Sequence, residues 1–502
     1  MNPQEAYNWL LSHQTETTYL ESMRNLLGWD QRTHMPARGH LHRANQLANI
    51  TRFIHLRRTD PQIGEMLSAV EGTALLDDPC SVEAVNVREW RRSFDRAVKI
   101  PEKLAVELAR VSSEAESFWR DARPRNDWTG FTKYLQRIVA LKREEAELIG
   151  YSNEPYDALL DEYEPEETAR SLEPLFAELR AGLVDLLGRI EGSSGQPNTS
   201  VLHGNFSVYE QESFAREVVE CLGYDFAAGR LDPTAHPFSV DIGPGDVRIT
   251  TRYDSTFLNT ALFGAIHEAG HAIYQQGLPS EHWGTPMGQA VSLGIHESQS
   301  RLWENFVGRS LSFWKHFYPQ AQRHFPTLQN VKVEAFHSAV NEVRSSLIRT
   351  EADEVTYNLH ILLRFELELA MLRGDLEVED LPEAWNGKME AYLGLTPPDF
   401  SSGVMQDIHW AIGAIGYFPT YTLGNLYAAQ LFAKAEAELG SLQEQMGAGE
   451  FRPLLDWLRQ NIHSQGSRYL PRDLIRQATG ADLNSNHLIE YLETKYAVLY
   501  GF

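Results

Sequence analysis

Two histidines and a glutamate stand close together in "LFGAIHEAGHAIYQQG", residues 262–277. On a helix, His267 and His271 are four residues apart, so both imidazoles project from one face and can grip one zinc ion. Glu268 projects about 100° around the same turn, where it can take a proton from a water beside the ion without ligating it. Ligand, base and ligand is the set that hydrolytic zinc chemistry requires. With 18 histidines in 502 residues the pattern arises by chance well under once per chain, so it carries weight. The opposing reading, two ordinary core histidines, would bury imidazoles and a carboxylate among Leu262, Ala265, Ile266, Ala269 and Ile273 without a partner, which is costly.

A catalytic zinc takes three protein ligands and keeps one position open, so a third donor is needed. The metzincin pattern would place glycine three and histidine six residues after the second histidine. Those positions hold Tyr274 and Gly277, which excludes that class. Glu281, Glu297 and Glu304 follow His271 by 10, 26 and 33 residues. Glu281 comes too soon for the chain to leave one helix, turn and face it from another. Glu297 opens the helical run "GIHESQSRLWENF", and Glu304 lies two turns later on the same face. Spacing leans to Glu297 and leaves Glu304 open. His296 suits a metal equally well but points about 100° off that face.

Hydrolysis also needs donors for a developing oxyanion and a device that selects the bond to be cut. "IRTEAD" at 348–353 offers Arg349, although Arg349 and Asp353, four apart, would equally make a plain helix ion pair. "GVMQDIHWAIGAIGYFPTYTLGN" at 403–425 sets His409, Tyr417 and Tyr421 in a glycine-rich, aromatic context where a ligand can approach closely.

The elements that must position these groups are mostly helices. Apolar residues recur three to four apart through "PQEAYNWLLSHQTETTYLESMRNLLGW", "PEKLAVELARVSSEAESFWRDA", "FTKYLQRIVALKREEAELIGY" and "LEPLFAELRAGLVDLLGRI". "EGSSGQPNTS" at 191–200 is a polar break. One segment departs from helical periodicity, residues 230–254. There "FSVDI" and "VRITTRY" between proline and glycine turns predict a small antiparallel ribbon just ahead of the zinc-motif helix.

The net charge of −24 repels phosphate backbones and anionic lipid, which argues against nucleic acid and membrane partners. No apolar run is long enough to span a bilayer, and the first residues lack a basic start followed by an apolar core, so a cytoplasmic protein is expected. Cys80 and Cys221 are too few and too isolated for a disulfide framework or a thiolate site. Any metal must therefore be held by imidazole and carboxylate.

With these residues assembled, the chain resembles the thermostable carboxypeptidase, or carboxypeptidase Taq, family of zinc metallopeptidases. The resemblance begins with "LLGWDQRTHMP" at 26–36 and "PYDALLDEYEP" at 155–165. It continues in order through "HPF" at 236–238, "DVRIT" at 246–250, "HEAGH" at 267–271, "HESQ" at 296–299, "IRTEAD" and "GVMQDIHW" at 403–410. It implies one all-α, neurolysin-like, cleft-forming domain over 1–502 with a small antiparallel sheet beside the zinc. The implied ligands are His267, His271 and Glu297, for one zinc ion per chain that cobalt can replace, with Glu268 as the base. It further implies His409 and Tyr421 at the oxyanion, and Arg349 as the receiver of the substrate's terminal carboxylate. Arg248 is a second candidate for that task, and His236 and Tyr417 are further substrate contacts. The activity implied is release of single amino acids, with broad specificity, from peptides with a free C-terminus by a cytoplasmic homodimer. A zinc endo-oligopeptidase or an aminopeptidase on the same frame is the nearest alternative. A non-catalytic metal-binding scaffold is a third, although it would have no use for Glu268.

Overall fold

The structure, a computed structural model, describes residues 2–502. Twenty α-helices, short 3-10 turns, one π-helical segment and one three-stranded sheet make up the regular elements among these residues. The first helix, α1 (Pro3–Thr33), starts on a capping box in which Asn2 and Glu5 satisfy each other's backbone ends, with proline at its first position. It packs against α2 (His40–Arg58). Tyr7 and Leu10 of α1 join Ile63, Leu67, Val87 and Trp90 in an apolar cluster separate from the main core, which runs from Leu104 to Tyr500. No helix among the described residues is long and apolar enough to cross a membrane.

The non-helical segment forms β1 (Leu231–Pro233), β2 (Ser239–Gly243) and β3 (Asp246–Thr251) in the order β1-β3-β2. Strands β2 and β3 make the predicted antiparallel hairpin, turning through Gly243 and Gly245 at positive φ. The sheet is nevertheless mixed, because β1 pairs parallel to β3. The chain rounds the end of β3 through residues 234–238 and returns along its other edge. Period-two patterning marks strands but not the partner of a three-residue one.

The sheet leads directly into α3 (Asn259–Gly277), which packs on β3, and Thr251 Oγ1 donates to the Ala261 carbonyl at the junction. Ser292 caps α4 (Leu293–Arg301), accepting from the Ile295 N–H. A π-helical segment, Leu302–Gly308, continues α4. Two further helices complete the surroundings of the site, α5 (Thr356–Arg373) and α6 (Pro419–Leu439). The chain passes from α5 through a helix at Leu381–Leu393 and enters α6 from a largely buried stretch, 401–418, that contains turns but neither helix nor strand.

Candidate metal centre

His267 and His271 share one face of α3, and Glu297 reaches them from α4. Glu297 Oε2 lies 3.4 Å from His271 Nε2 and 3.8 Å from His267 Nε2. One ligand atom from each of the three lies within 4.8 Å of the others, the convergence a single ion needs. Each imidazole is oriented through its other nitrogen. His267 Nδ1 donates to Glu304 Oε2 at 2.9 Å, and His271 Nδ1 donates to the His296 carbonyl at 3.0 Å. Both Nε2 atoms are thereby left facing the common point, so the donor set fits a divalent ion.

The rival third donors lie behind the ligands. Glu304 backs His267, and the His296 ring sits with Nδ1 2.6 Å from His271 Nδ1, on the side away from Glu297. Glu281 is exposed in a short 3-10 turn, Ser280–His282.

Burial opposes the charge on Glu297, but Arg301 and His267 overcome it and hold its carboxyl well below the usual range. Arg301 Nε donates to Glu297 Oε1 at 2.7 Å, and its Nη1 reaches Glu304 Oε2 at 3.3 Å. Arg309 reaches the other Glu304 oxygen, also at 3.3 Å. Two glycines let the helices come this close. A Cβ on Gly270 of α3 would lie 2.6 Å from Ser300 Cα, and one on Gly424 of α6 would lie 2.5 Å from Glu297 Cγ. Because Glu304 accepts from His267 Nδ1 and does not face the common point, Glu304→Ala is expected to weaken metal affinity by roughly 10- to 100-fold. Titration of the metal-free protein against a competing chelator reads this directly, and unchanged affinity would remove Glu304 from that role.

Glu268, one residue after the first histidine, is buried. Burial pushes its carboxyl up while His267 and His271 pull against it, so the group is disposed to take a proton. A second cluster gathers around residues 401–418. His409 Nε2 lies 3.4 Å from the Tyr421 hydroxyl, and the Tyr417 ring lies 5.4 Å from those of both. Burial lowers His409 to about 4, which leaves it neutral near pH 7. Burial also raises Tyr417 and Tyr421, with the charge of Glu297 contributing, so both phenols keep their protons.

Arg349 lies in a 3-10 turn, Arg349–Glu351, and does not pair with Asp353. Asp353 instead caps α5, accepting from Val355 N–H, Thr356 N–H and the Thr356 hydroxyl. Nε and Nη2 of Arg349 donate to Asp407 Oδ1 at 3.0 and 2.8 Å, and Nη1 donates to the Tyr357 hydroxyl at 3.1 Å. The guanidinium stands 5.2 Å from the Tyr421 ring centroid. Asp407 is shared with the fully buried Arg364, at 2.6 Å. Two arginines on one carboxylate leave a net positive charge. Arg248, on β3, is forked onto Asp246 with both contacts at 2.7 Å and lies over Trp29 of α1, while His236 is exposed in the bend before β2. Among the described residues no hydrogen bond or ion pair joins either to the metal-site cluster or to Arg349.

Sequence reasoning missed Asp407, Arg301 and a polar ladder on α5. Tyr357, His360, Arg364 and Glu368 are three, four and four residues apart, hence on one helix face, and all are buried. The available signal was a charged stripe in a helix that is apolar all round.

Two part-buried histidines and a buried glutamate, with a buried acid beside the first histidine, carried by helices next to a small sheet, define a helical metallopeptidase-type centre. The family model for the carboxypeptidase Taq (M32) metallopeptidases matches residues 9–496, and the chain belongs to that family. It is 59% identical to thermostable carboxypeptidase 1 of Thermus thermophilus over the whole of both chains. With carboxypeptidase 1 of Bacillus subtilis the identity is 40%, over 95% of each chain. A crystal structure of the M32 carboxypeptidase of Deinococcus radiodurans superposes with a TM-score of 0.96 at 40% identity, covering 99% of this chain and 100% of that one.

Proposed function

We propose that this metallocarboxypeptidase is a zinc enzyme that removes single amino acids from the C-terminus of peptides, with broad specificity. The observation that carries the reading is the convergence of His267, His271 and Glu297 beside Glu268 in a chain of this family. Those three residues would hold the ion, and two nitrogens and one carboxylate oxygen suit zinc, with cobalt as a substitute. A bound ion supplies Lewis acidity, polarising the scissile carbonyl and bringing the pKa of a water towards about 7.

The remaining steps belong to the protein. Glu268 takes the proton of the attacking water and later passes it to the leaving amine. His409 and Tyr421 donate hydrogen bonds to the carbonyl oxygen as it gains charge, each worth about 3 kcal/mol. Arg349, held in place by Asp407 and Tyr357, receives the terminal carboxylate, and the surplus positive charge it shares with Arg364 favours that anion. Tyr417, packed against His409 and Tyr421, is a substrate contact. Arg248 and His236 are further substrate contacts on the sheet side, Arg248 being the weaker candidate for the carboxylate because Asp246 already takes its fork. A cytoplasmic homodimer accompanies this reading, and sedimentation at working concentration tests the assembly.

Incubation with a peptide and with its C-terminal amide, each with and without chelator, followed by mass spectrometry, tests the activity. Stepwise shortening of the free acid alone, abolished by chelator, is the expected result. Internal cleavage would replace the reading by an endo-oligopeptidase. Arg349→Ala is expected to lower kcat/KM on the free acid by roughly 10- to 100-fold, the worth of a charged hydrogen-bond pair. The same variant with unchanged kcat/KM would take the anchoring role away from Arg349.

A further inference from the structure

Residues 401–418 carry His409 and Tyr417 without any helix or strand to fix them. A buried irregular run of this length has to be held from outside, because its backbone polar groups and its position are not set by a ladder of its own. Its first half is held at Gln406, which accepts from the Arg349 N–H and donates to the Leu347 carbonyl, and at Asp407, gripped by Arg349 and Arg364. The second half closes local turns of its own, Ile412 N–H to the Ile408 carbonyl and Ala414 N–H to the His409 carbonyl, and one side chain ties it to α5. Glu368 Oε1 accepts from the Trp410 indole N–H at 2.8 Å, and Oε2 accepts from the Gly416 backbone N–H at 3.0 Å and from the Tyr156 hydroxyl at 2.8 Å.

We propose that Glu368 is a positioning residue for the peptidase reaction, clasping the two ends of the 411–415 turn so that His409 and Tyr417 are fixed against the metal site. Trp410 directly follows His409, and Gly416 directly precedes Tyr417. The inference rests on the roles assigned above to those two residues.

Four features favour a positioning role over packing alone. Glu368 is fully buried and forms no ion pair among the described residues, so its desolvation is offset only by the three hydrogen bonds it accepts. The indole and the backbone N–H can only donate, and they reach different oxygens of Glu368, so the side chain has to offer two acceptors. The Gly416 anchor lies close against its surroundings and suits only glycine: its φ is +90°, and a Cβ there would lie 2.9 Å from the Leu159 and Leu160 backbone. Arg364, one turn earlier on α5, holds Asp407, so one helix grips the loop at two points on either side of His409.

Four variants test this: Glu368→Gln, Trp410→Phe, Tyr156→Phe and His409→Ala. An amide offers one acceptor oxygen, and its NH2 must confront either Trp410 or Gly416, so one end of the clasp opens whichever way it turns. Trp410→Phe opens one end alone, and Tyr156→Phe removes the bond that does not reach the loop. Each is measured per metal-loaded, folded molecule, with metal content and Tm alongside. Glu368→Gln and Trp410→Phe are expected to lower kcat about 10-fold or more with KM within about threefold, whereas Tyr156→Phe stays within about threefold in kcat whatever its Tm. Equal kcat for Glu368→Gln and Tyr156→Phe, or a change in KM alone, would overturn the clasp. If His409→Ala loses kcat while Glu368→Gln does not, the clasp fails and the role of His409 stands. If His409→Ala keeps full kcat, that role fails and the clasp with it. Trp410→Phe decides the matter by itself should Glu368→Gln not fold.

Discussion

Glu268→Gln should keep one metal ion per chain and lose roughly 10³-fold in kcat, within the range general-base removal commonly costs. The amide preserves size and sits on the same buried turn of α3, so His267 and His271 stay in place. What disappears is the ability to take a proton, which burial promotes in the acid. Metal analysis beside single-turnover kinetics separates the two effects. Turnover close to that of the parent would put the base elsewhere.

Glu297→Ala should act in the opposite order, on the metal first. It removes one of three converging donors and leaves Arg301 with only Glu304 among the metal-site carboxylates. Metal affinity should fall further than in Glu304→Ala. The metal-free protein should also lose about 3 kcal/mol of stability, because a buried pair has been broken on one side. Chelator dialysis followed by metal analysis reads the first effect, and urea unfolding of the metal-free form reads the second. Retention of one ion per chain against chelator would move the third ligand away from Glu297.

The part of the site that lies on one helix was legible. His267, Glu268 and His271 are related by helical geometry alone, and α3 supplies it. The third donor was less so, because spacing fixes an angle around a helix and not the depth at which a neighbouring helix crosses. Glu297, Glu304 and His296 have suitable chemistry and fall within nine residues. In the structure one faces the common point while the other two stand behind the histidines. The helical class and the position of the sheet followed from periodicity, but the parallel pairing of β1 did not. Arg349 and Asp353 illustrate the same limit. Their spacing suits a helical ion pair, yet the chain there is a short turn, and Asp353 caps the helix that follows. The ladder from Tyr357 to Glu368 has the period of a solvated stripe, but it sits in a helix whose other faces are apolar, and packing turns it inward.

Gly270 and Gly424 give the centre a property that no ligand supplies by itself. The spacing between the histidines and Glu297 is set by helices in direct contact, α3 on α4 and α4 on α6, rather than by long side chains free to change rotamer. The socket is therefore assembled by folding, before any ion arrives. In small zinc folds metal capture and chain ordering are one event, and chelation unfolds the protein. Here the two should be separable: chelation is expected to remove the ion without unfolding the chain.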